Sequence, residues 1–322
     1  MQNSKGRSKL PGVVQQFLHE LSAVRRLSPL SVAAYRRDLQ QLSDMAEGRA
    51  LPDLTASDVR RAAGRLHARG LAPASIARML SAWRAFFRYL AAHGASSSNP
   101  ALGVRAPRRP QRLPKALAPD QAVALASQQA GEGVLAVRDH AIAELLYSTG
   151  LRLSELVALD LRPYPSEPSQ RASLGWIDLA ERELTVTGKG SKRRSVPIGQ
   201  PAVEALQAWL SARSTMAGAA ERALFVSTRG TRLTPRSVQI RLQQLGERLG
   251  LGVHVHPHVL RHSMASHLLQ SSGDLRAVQE MLGHTNISTT QVYTRLDWQH
   301  LAKVYDAHHP RAHRKPGGTK AR

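Results

Sequence analysis

The sequence predicts a two-domain, mainly α-helical chain with a small antiparallel β-sheet, made of an α-helical N-terminal domain over residues 10–95 and a mixed α+β domain over residues 117–310. Three observations point to this. Apolar residues recur at helical spacing from Leu10 to Ala92, residues 96–116 are rich in proline, serine and arginine, and a stretch between Trp176 and Ile198 switches to short strand-like runs. A length of 322 residues also favours two cores of ordinary size over one.

Residues 1–9 are polar and basic and are expected to be flexible. The first helix carries Val13, Val14, Phe17, Leu18, Leu21 and Val24. Ser28 followed by Pro29 opens the second, a cap residue with proline in the first turn, and Val32, Tyr35, Leu39 and Leu42 form its stripe. Thr55 to Asp58 has the form of a capping box for the third. The fourth places Ile76, Met79, Leu80, Trp83, Phe86, Phe87 and Leu90 on one face and leaves Arg78, Arg84 and Arg88 on the other, with Gly94 to end it.

The linker that follows holds Pro100, Pro107, Pro110 and Pro114 with Arg105, Arg108, Arg109 and Arg112. Proline keeps it extended and arginine draws it to phosphate, so it either runs along a duplex or serves as a solvated hinge. Beyond it come helical runs at Ala122–Ala126, Val137–Tyr147 and Leu153–Leu159, then strands at Trp176–Leu179, Leu184–Thr187 and Arg194–Ile198. Glu181-Arg182 and Gly188-Lys189-Gly190-Ser191 supply the tight turns between them. Helices return from Pro201, one of them capped by Thr234 before Pro235, and the basic tail 311–322 is expected to be disordered.

The formal net charge of +22, from 45 Lys and Arg against 23 Asp and Glu, calls for an anionic partner, nucleic acid first. The absence of cysteine excludes disulfides, thiolate zinc sites and cysteine nucleophiles. No stretch has the length and apolarity of a signal peptide or membrane span, so a cytoplasmic protein without a membrane partner is expected.

Four separated segments offer groups suited to a phosphate. In Ser148-Thr149-Gly150-Leu151-Arg152-Leu153-Ser154-Glu155 a helix ends at glycine and another starts, placing Arg152 in a first turn with Glu155 one turn on to orient it, unless the two form a plain surface pair. In Gly188-Lys189-Gly190 the lysine at a hairpin tip can protonate a leaving oxygen, or merely contact the backbone of a duplex. In His256-Pro257-His258-Val259-Leu260-Arg261 proline starts a helix whose His258 and Arg261 share a face, with Leu260, Met264 and Leu268 turned inward. His254, His256, His258, His262 and His267 also raise a metal site, against which stands the lack of a carboxylate in the cluster. The fourth segment holds His284 and, nine residues on, Tyr293, which taken singly reads as a packing residue.

Phosphodiester cleavage needs a nucleophile, neutralisation of the non-bridging oxygens and a proton for the departing oxygen. Tyr293 can attack, Arg152 and Arg261 can clamp, His284 can donate a further hydrogen bond, Lys189 can act as general acid, and His258 can serve as base or orienter. Two arginines and a lysine supply the positive field that paired metal ions supply elsewhere. No metal and no nucleotide cofactor is therefore expected, since a phosphotyrosine link conserves the energy of the broken bond.

The motifs T-G-L-R-x-S-E-L from Thr149, G-K-G-x-K from Gly188, H-x-L-R-H from His258, L-G-H from Leu282 and T-x-x-Y from Thr290, in that order, resemble the tyrosine recombinase (phage integrase) family over nearly the whole chain. The resemblance implies a SAM-like core-binding domain at the N-terminus that clamps DNA together with the catalytic domain. It also implies a 3′-phosphotyrosyl intermediate at Tyr293, activated by Arg152, Lys189, His258, Arg261 and His284. The two-domain length and the ending Leu296 to Pro310 resemble the Xer branch of that family. That implies a XerD-like partner recombinase in a heterotetramer, a dif-like site in double-stranded DNA, an FtsK-like DNA translocase, and resolution of chromosome dimers at cell division. In this ending Leu296, Leu301, Val304 and Tyr305 form an apolar face expected to dock on a neighbouring subunit. The connection Arg162 to Leu174 is longer than the family's usual one. Two other functions fit parts of the pattern: a type IB topoisomerase, which would relax any supercoiled DNA, and a DNA-binding architectural protein without catalysis.

Overall fold

Caps and apolar stripes set four helices in the N-terminal unit, α1 (Gly12–Ala23), α2 (Pro29–Met45), α3 (Ala56–Ala68) and α4 (Pro73–Ala92). The computed structural model describes residues 10–108, 116–128, 132–167, 171–188, 192–283 and 295–312, with side chains in the last stretch from 301 onward. The chain divides into two units between Arg112 and Leu113, each with its own hydrophobic core. Ser28 Oγ accepts the Ser31 N–H at 3.2 Å to start α2. Thr55 and Asp58 exchange both bonds of the expected capping box, at 3.0 and 3.4 Å.

Phe17, Trp83, Phe86, Phe87 and Leu90 are fully buried at the centre of this unit. Arg78 and Arg84 correct the sequence reading, which left them available on the polar face of α4. Arg78, though still exposed, pairs with the buried Asp38, and Arg84 donates to the carbonyls of Ala101 and Val104, so both have partners within the fold; Arg88 stands exposed. Residues 99–104, placed in the linker by composition, pack on this core. Ala101 and Val104 are buried, and the Asn99 amide donates to the Arg84 carbonyl at 3.0 Å. Arg109, Pro110, Arg112 and Pro114 lie outside the described residues.

The second unit is built around α6 (Val134–Thr149), buried along most of its length, with its buried charges paired, Arg138 to Asp139 and Glu144 to Arg311. It packs against α5 (Pro119–Ser127), α8 (Gln200–Arg213), α9 (Pro235–Arg248) and α10 (Pro257–Ser272). After α7 (Leu153–Val157) come β1 (Leu159–Asp160), β2 (Gly175–Asp178), β3 (Glu183–Thr187) and β4 (Arg193–Pro197), in that order across one sheet. The last three are antiparallel as expected, with Trp176 opposite Thr185 and Val186 opposite Arg194. The sheet as a whole is mixed, because β1 pairs parallel to β2, a two-residue strand too short to leave an alternating pattern. The long connection beyond β1 is tied down by Ser173, whose hydroxyl donates to Asp160 at 2.5 Å, and by Arg222 lying 4.4 Å over the Tyr164 ring.

The chain closes with α11 (Leu275–Leu282) and α12 (Arg295–His308). Part of the apolar face of α12 is occupied within its own domain: Leu301 and Tyr305 are fully buried, and the Tyr305 hydroxyl is 2.6 Å from Ser148 Oγ, while the Leu296 side chain lies outside the described residues. Periodicity revealed that face but not which chain covers it. The tail reading is also corrected at its start, since Arg311 pairs with the buried Glu144 and the Ala312 carbonyl accepts the Gln200 N–H at 3.1 Å. Residues 313–322 lie outside the described residues. Among the described residues no helix is long and apolar enough to cross a membrane.

Candidate active site

Gly150 joins three helices. It ends α6 in the left-handed region (φ 60°), and a Cβ there would overlap the Met264 methyl of α10 and stand 3.2 Å from Leu282 of α11. Only glycine permits both the turn and this approach. Leu151, fully buried, then anchors the chain so that Arg152 emerges beside α10 and α11.

Arg152 occupies the N-cap of α7 with extended backbone (φ −72°, ψ 150°), one position before the first turn in which the sequence placed it. Glu155 holds it twice, accepting the Arg152 backbone N–H at 2.8 Å and Nη1 at 2.9 Å. The pair is no surface contact, because Glu155 is 6% exposed. Its carboxylate also takes Nη1 and Nη2 of Arg194, each at 2.8 Å. Burial alone would raise the Glu155 carboxyl, but the hydrogen bonds and charge of Arg194, with those of Arg152, hold it below the usual carboxylate range.

Arg261 projects from α10 with Nη1 donating to the Gly150 carbonyl and Nη2 to the Leu282 carbonyl at 2.7 Å. Arg152 Nη2 reaches the next carbonyl, Gly283, at 3.2 Å. Both expected clamp residues thus converge on the end of α11. Burial, with the adjacent Arg152 charge, pulls the Arg261 guanidinium down to about 10. Among the described residues Arg152, Arg194 and Arg261 face a single carboxylate, Glu155, which leaves an excess of positive charge suited to an anion.

His258 stands exposed one turn before Arg261 on α10. Lys189, His284 and Tyr293 lie outside the described residues. The residues next before the first two are nonetheless in the site. Cβ atoms built at Gly188 and Gly283 would lie 3.5 and 3.1 Å from Arg194 Nη1. The histidine cluster does not converge as a metal site among the described residues. His267 is instead a core residue, bonded through Nδ1 to the Tyr147 hydroxyl at 2.9 Å and through Nε2 to the Leu117 carbonyl at 3.0 Å, while His262 is exposed.

Sequence reasoning missed Arg194, which it took only as the first residue of the third strand. The available signal was parity: Arg194 shares the buried face of β4 with Val196, whereas Arg193 faces outward.

This fold and these paired arginines define a class of DNA strand-transfer enzyme. Residues 115–300 match the family model described as "Phage integrase family", and residues 14–94 match "Phage integrase, N-terminal SAM-like domain". The chain belongs to the phage integrase, or tyrosine recombinase, family, whose members transfer DNA strands without metal or ATP. It is 52% identical to tyrosine recombinase XerC 1 of Ralstonia nicotianae, over 93% of both chains. Among solved structures it is similar to the Tn1549 transposon integrase in complex with transposon right end DNA (TM-score 0.67, 18% identity, 90% of this chain and 98% of that one). It is also similar to the XerH recombinase bound to palindromic difH substrate (TM-score 0.60, 20% identity, 91% and 84%).

Proposed function

We propose that the chain is a XerC-type recombinase that acts from the cytoplasm with a XerD-like partner, in a heterotetramer on a dif-like site, to resolve chromosome dimers at cell division under an FtsK-like translocase. The identity to a curated XerC over nearly the full length supports this reading. So does the cationic site: three guanidiniums gather near the Glu155 carboxylate and leave an excess of positive charge, and a phosphodiester is the anion this family handles.

In the mechanism we assign, Arg152 and Arg261 bind the two non-bridging oxygens of the scissile phosphate, and His284 donates a further hydrogen bond. The Tyr293 oxygen attacks phosphorus and the bond to the 5′-oxygen breaks. Lys189 gives that oxygen its proton, while His258 accepts or orients the tyrosine proton. The resulting 3′-phosphotyrosine conserves the bond energy, and attack by a 5′-hydroxyl reverses the step on the same or an exchanged strand.

A nicked suicide duplex carrying a dif-like site tests this. Wild-type protein with the partner should accumulate a covalent protein–DNA adduct, and Tyr293→Phe should bind the duplex equally and form none. An adduct in Tyr293→Phe would remove the nucleophile. Relaxation of supercoiled plasmids that lack any dif-like site would favour topoisomerase activity instead.

A further inference from the structure

Arg194 has no part in the phosphate chemistry above, yet the described part of the site is organised around it. It is 6% exposed, and all three donor nitrogens are engaged: Nη1 and Nη2 on Glu155 at 2.8 Å each and Nε on the Met281 carbonyl at 3.0 Å. A buried ion pair is weak support for stability in itself, since desolvation offsets most of its attraction.

Two features give Arg194 a role beyond stability. The first is the sharing of Glu155, whose Oε1 takes both Arg194 Nη1 and Arg152 Nη1, so that moving one guanidinium moves the acceptor of the other. The second is the end of α11, where three successive carbonyls each accept from a different arginine: Met281 from Arg194, Leu282 from Arg261 and Gly283 from Arg152. Carbonyls at a helix end have no partner within the helix, and here they serve as a three-rung rack for guanidinium groups. Arg194 is the rung that fixes the rack, because it alone of the three is fully sequestered. Gly283 lies directly on it: a Cβ there would stand 3.1–3.2 Å from Nη1, Cδ and Cζ. Arg194 belongs to β4, which pairs antiparallel with β3 and follows Lys189 closely in sequence.

We propose that Arg194 is a positioning residue for strand cleavage: by gripping Glu155 and the Met281 carbonyl together, it holds Arg152, the end of α11 that leads into His284, and the β3–β4 hairpin in one register. This rests on the reading of Arg152 as a phosphate ligand. Arg194 itself touches no phosphate. Lysine is no substitute, because a point ammonium cannot span two carboxylate oxygens and a carbonyl at once.

The test uses the full chain with its partner, in single-turnover cleavage of the nicked suicide duplex at saturating DNA, with rates expressed per bound molecule. Arg194→Lys and Arg194→Met should each slow cleavage at least tenfold while the Kd for the duplex stays within twofold of wild type. In an Arg152→Lys background, Arg194→Lys should slow cleavage less than twofold further, because the two act along one path. Full additivity of the two losses would overturn the inference. So would a wild-type rate per bound molecule in both Arg194 variants, even with a lowered melting temperature, since that is what a purely structural role gives. If Arg152→Lys and Arg152→Ala both cleave like wild type, the failure belongs to the underlying site reading instead.

Discussion

Glu155→Gln is the most informative single substitution in the catalytic unit. The native carboxylate accepts four donors, two from Arg152 and two from Arg194, at 2.8–2.9 Å. Glutamine keeps one acceptor oxygen and turns an NH2 toward guanidinium N–H groups, so two of the four bonds become donor against donor. Arg152, with 36% of its side chain exposed, can turn partly to solvent and contributes little to the loss. Arg194, with 5% exposed, cannot, and is left as a buried charge without a counter-ion. Breaking a buried pair in this way costs about 3–5 kcal/mol.

The assay is native-state hydrogen exchange of α6 and α10 peptides against urea, which reports on the catalytic unit separately from the N-terminal one. The sign of the pH dependence provides an internal control. The fold lowers the Glu155 pKa below 4.5, so its stabilisation is present above that value and lost as pH falls through the folded pKa. The gap between wild type and variant should therefore narrow under acid. A loss below about 1 kcal/mol at neutral pH, the range of an exposed ion pair, would refute the claim that Glu155 and Arg194 are a sequestered pair.

Two further outcomes concern the scaffold. Gly150→Ala should destabilise the same unit by about 2–4 kcal/mol in urea, combining the left-handed backbone with crowding of the fully buried Met264; a loss under about 1 kcal/mol would deny the three-helix junction. His309 is buried beneath Tyr305, and burial pulls its pKa down from 6.5 to about 3. Between those values the unfolded chain binds a proton that the folded ring refuses, so stability falls as pH drops from 6.5 toward 3, by about 2 kcal/mol at pH 5. His309→Phe should flatten the melting temperature between pH 7 and 5, and an unchanged slope would place the effect on other groups.

Local rules legible in sequence were the ones set by neighbours along the chain. Ser28-Pro29, Thr55 to Asp58 and Thr234-Pro235 start helices where expected, because a cap needs only residues three apart. The family motifs likewise pointed to Arg152, Glu155 and Arg261, which the fold brings together. Illegible were partnerships made across the fold. Arg78, Arg84, Arg194 and Arg311 look alike in a strongly basic chain, yet each is committed to an internal acceptor that lies far away in sequence. The apolar face of α12 was visible as a period, while its occupant was a matter of tertiary structure. β1 escaped because two residues carry no period at all.

The geometry at the phosphate is the most direct point of attack. A crystal structure of Tyr293→Phe with its partner on an intact dif-like duplex should show the Arg152 and Arg261 guanidiniums on the two non-bridging oxygens of one phosphate, with the substituted ring at position 293 in line opposite the 5′-oxygen. Arginines gripping different phosphates, or a ring packed away from the backbone in every subunit, would contradict the assignment of these residues to a single cleavage site.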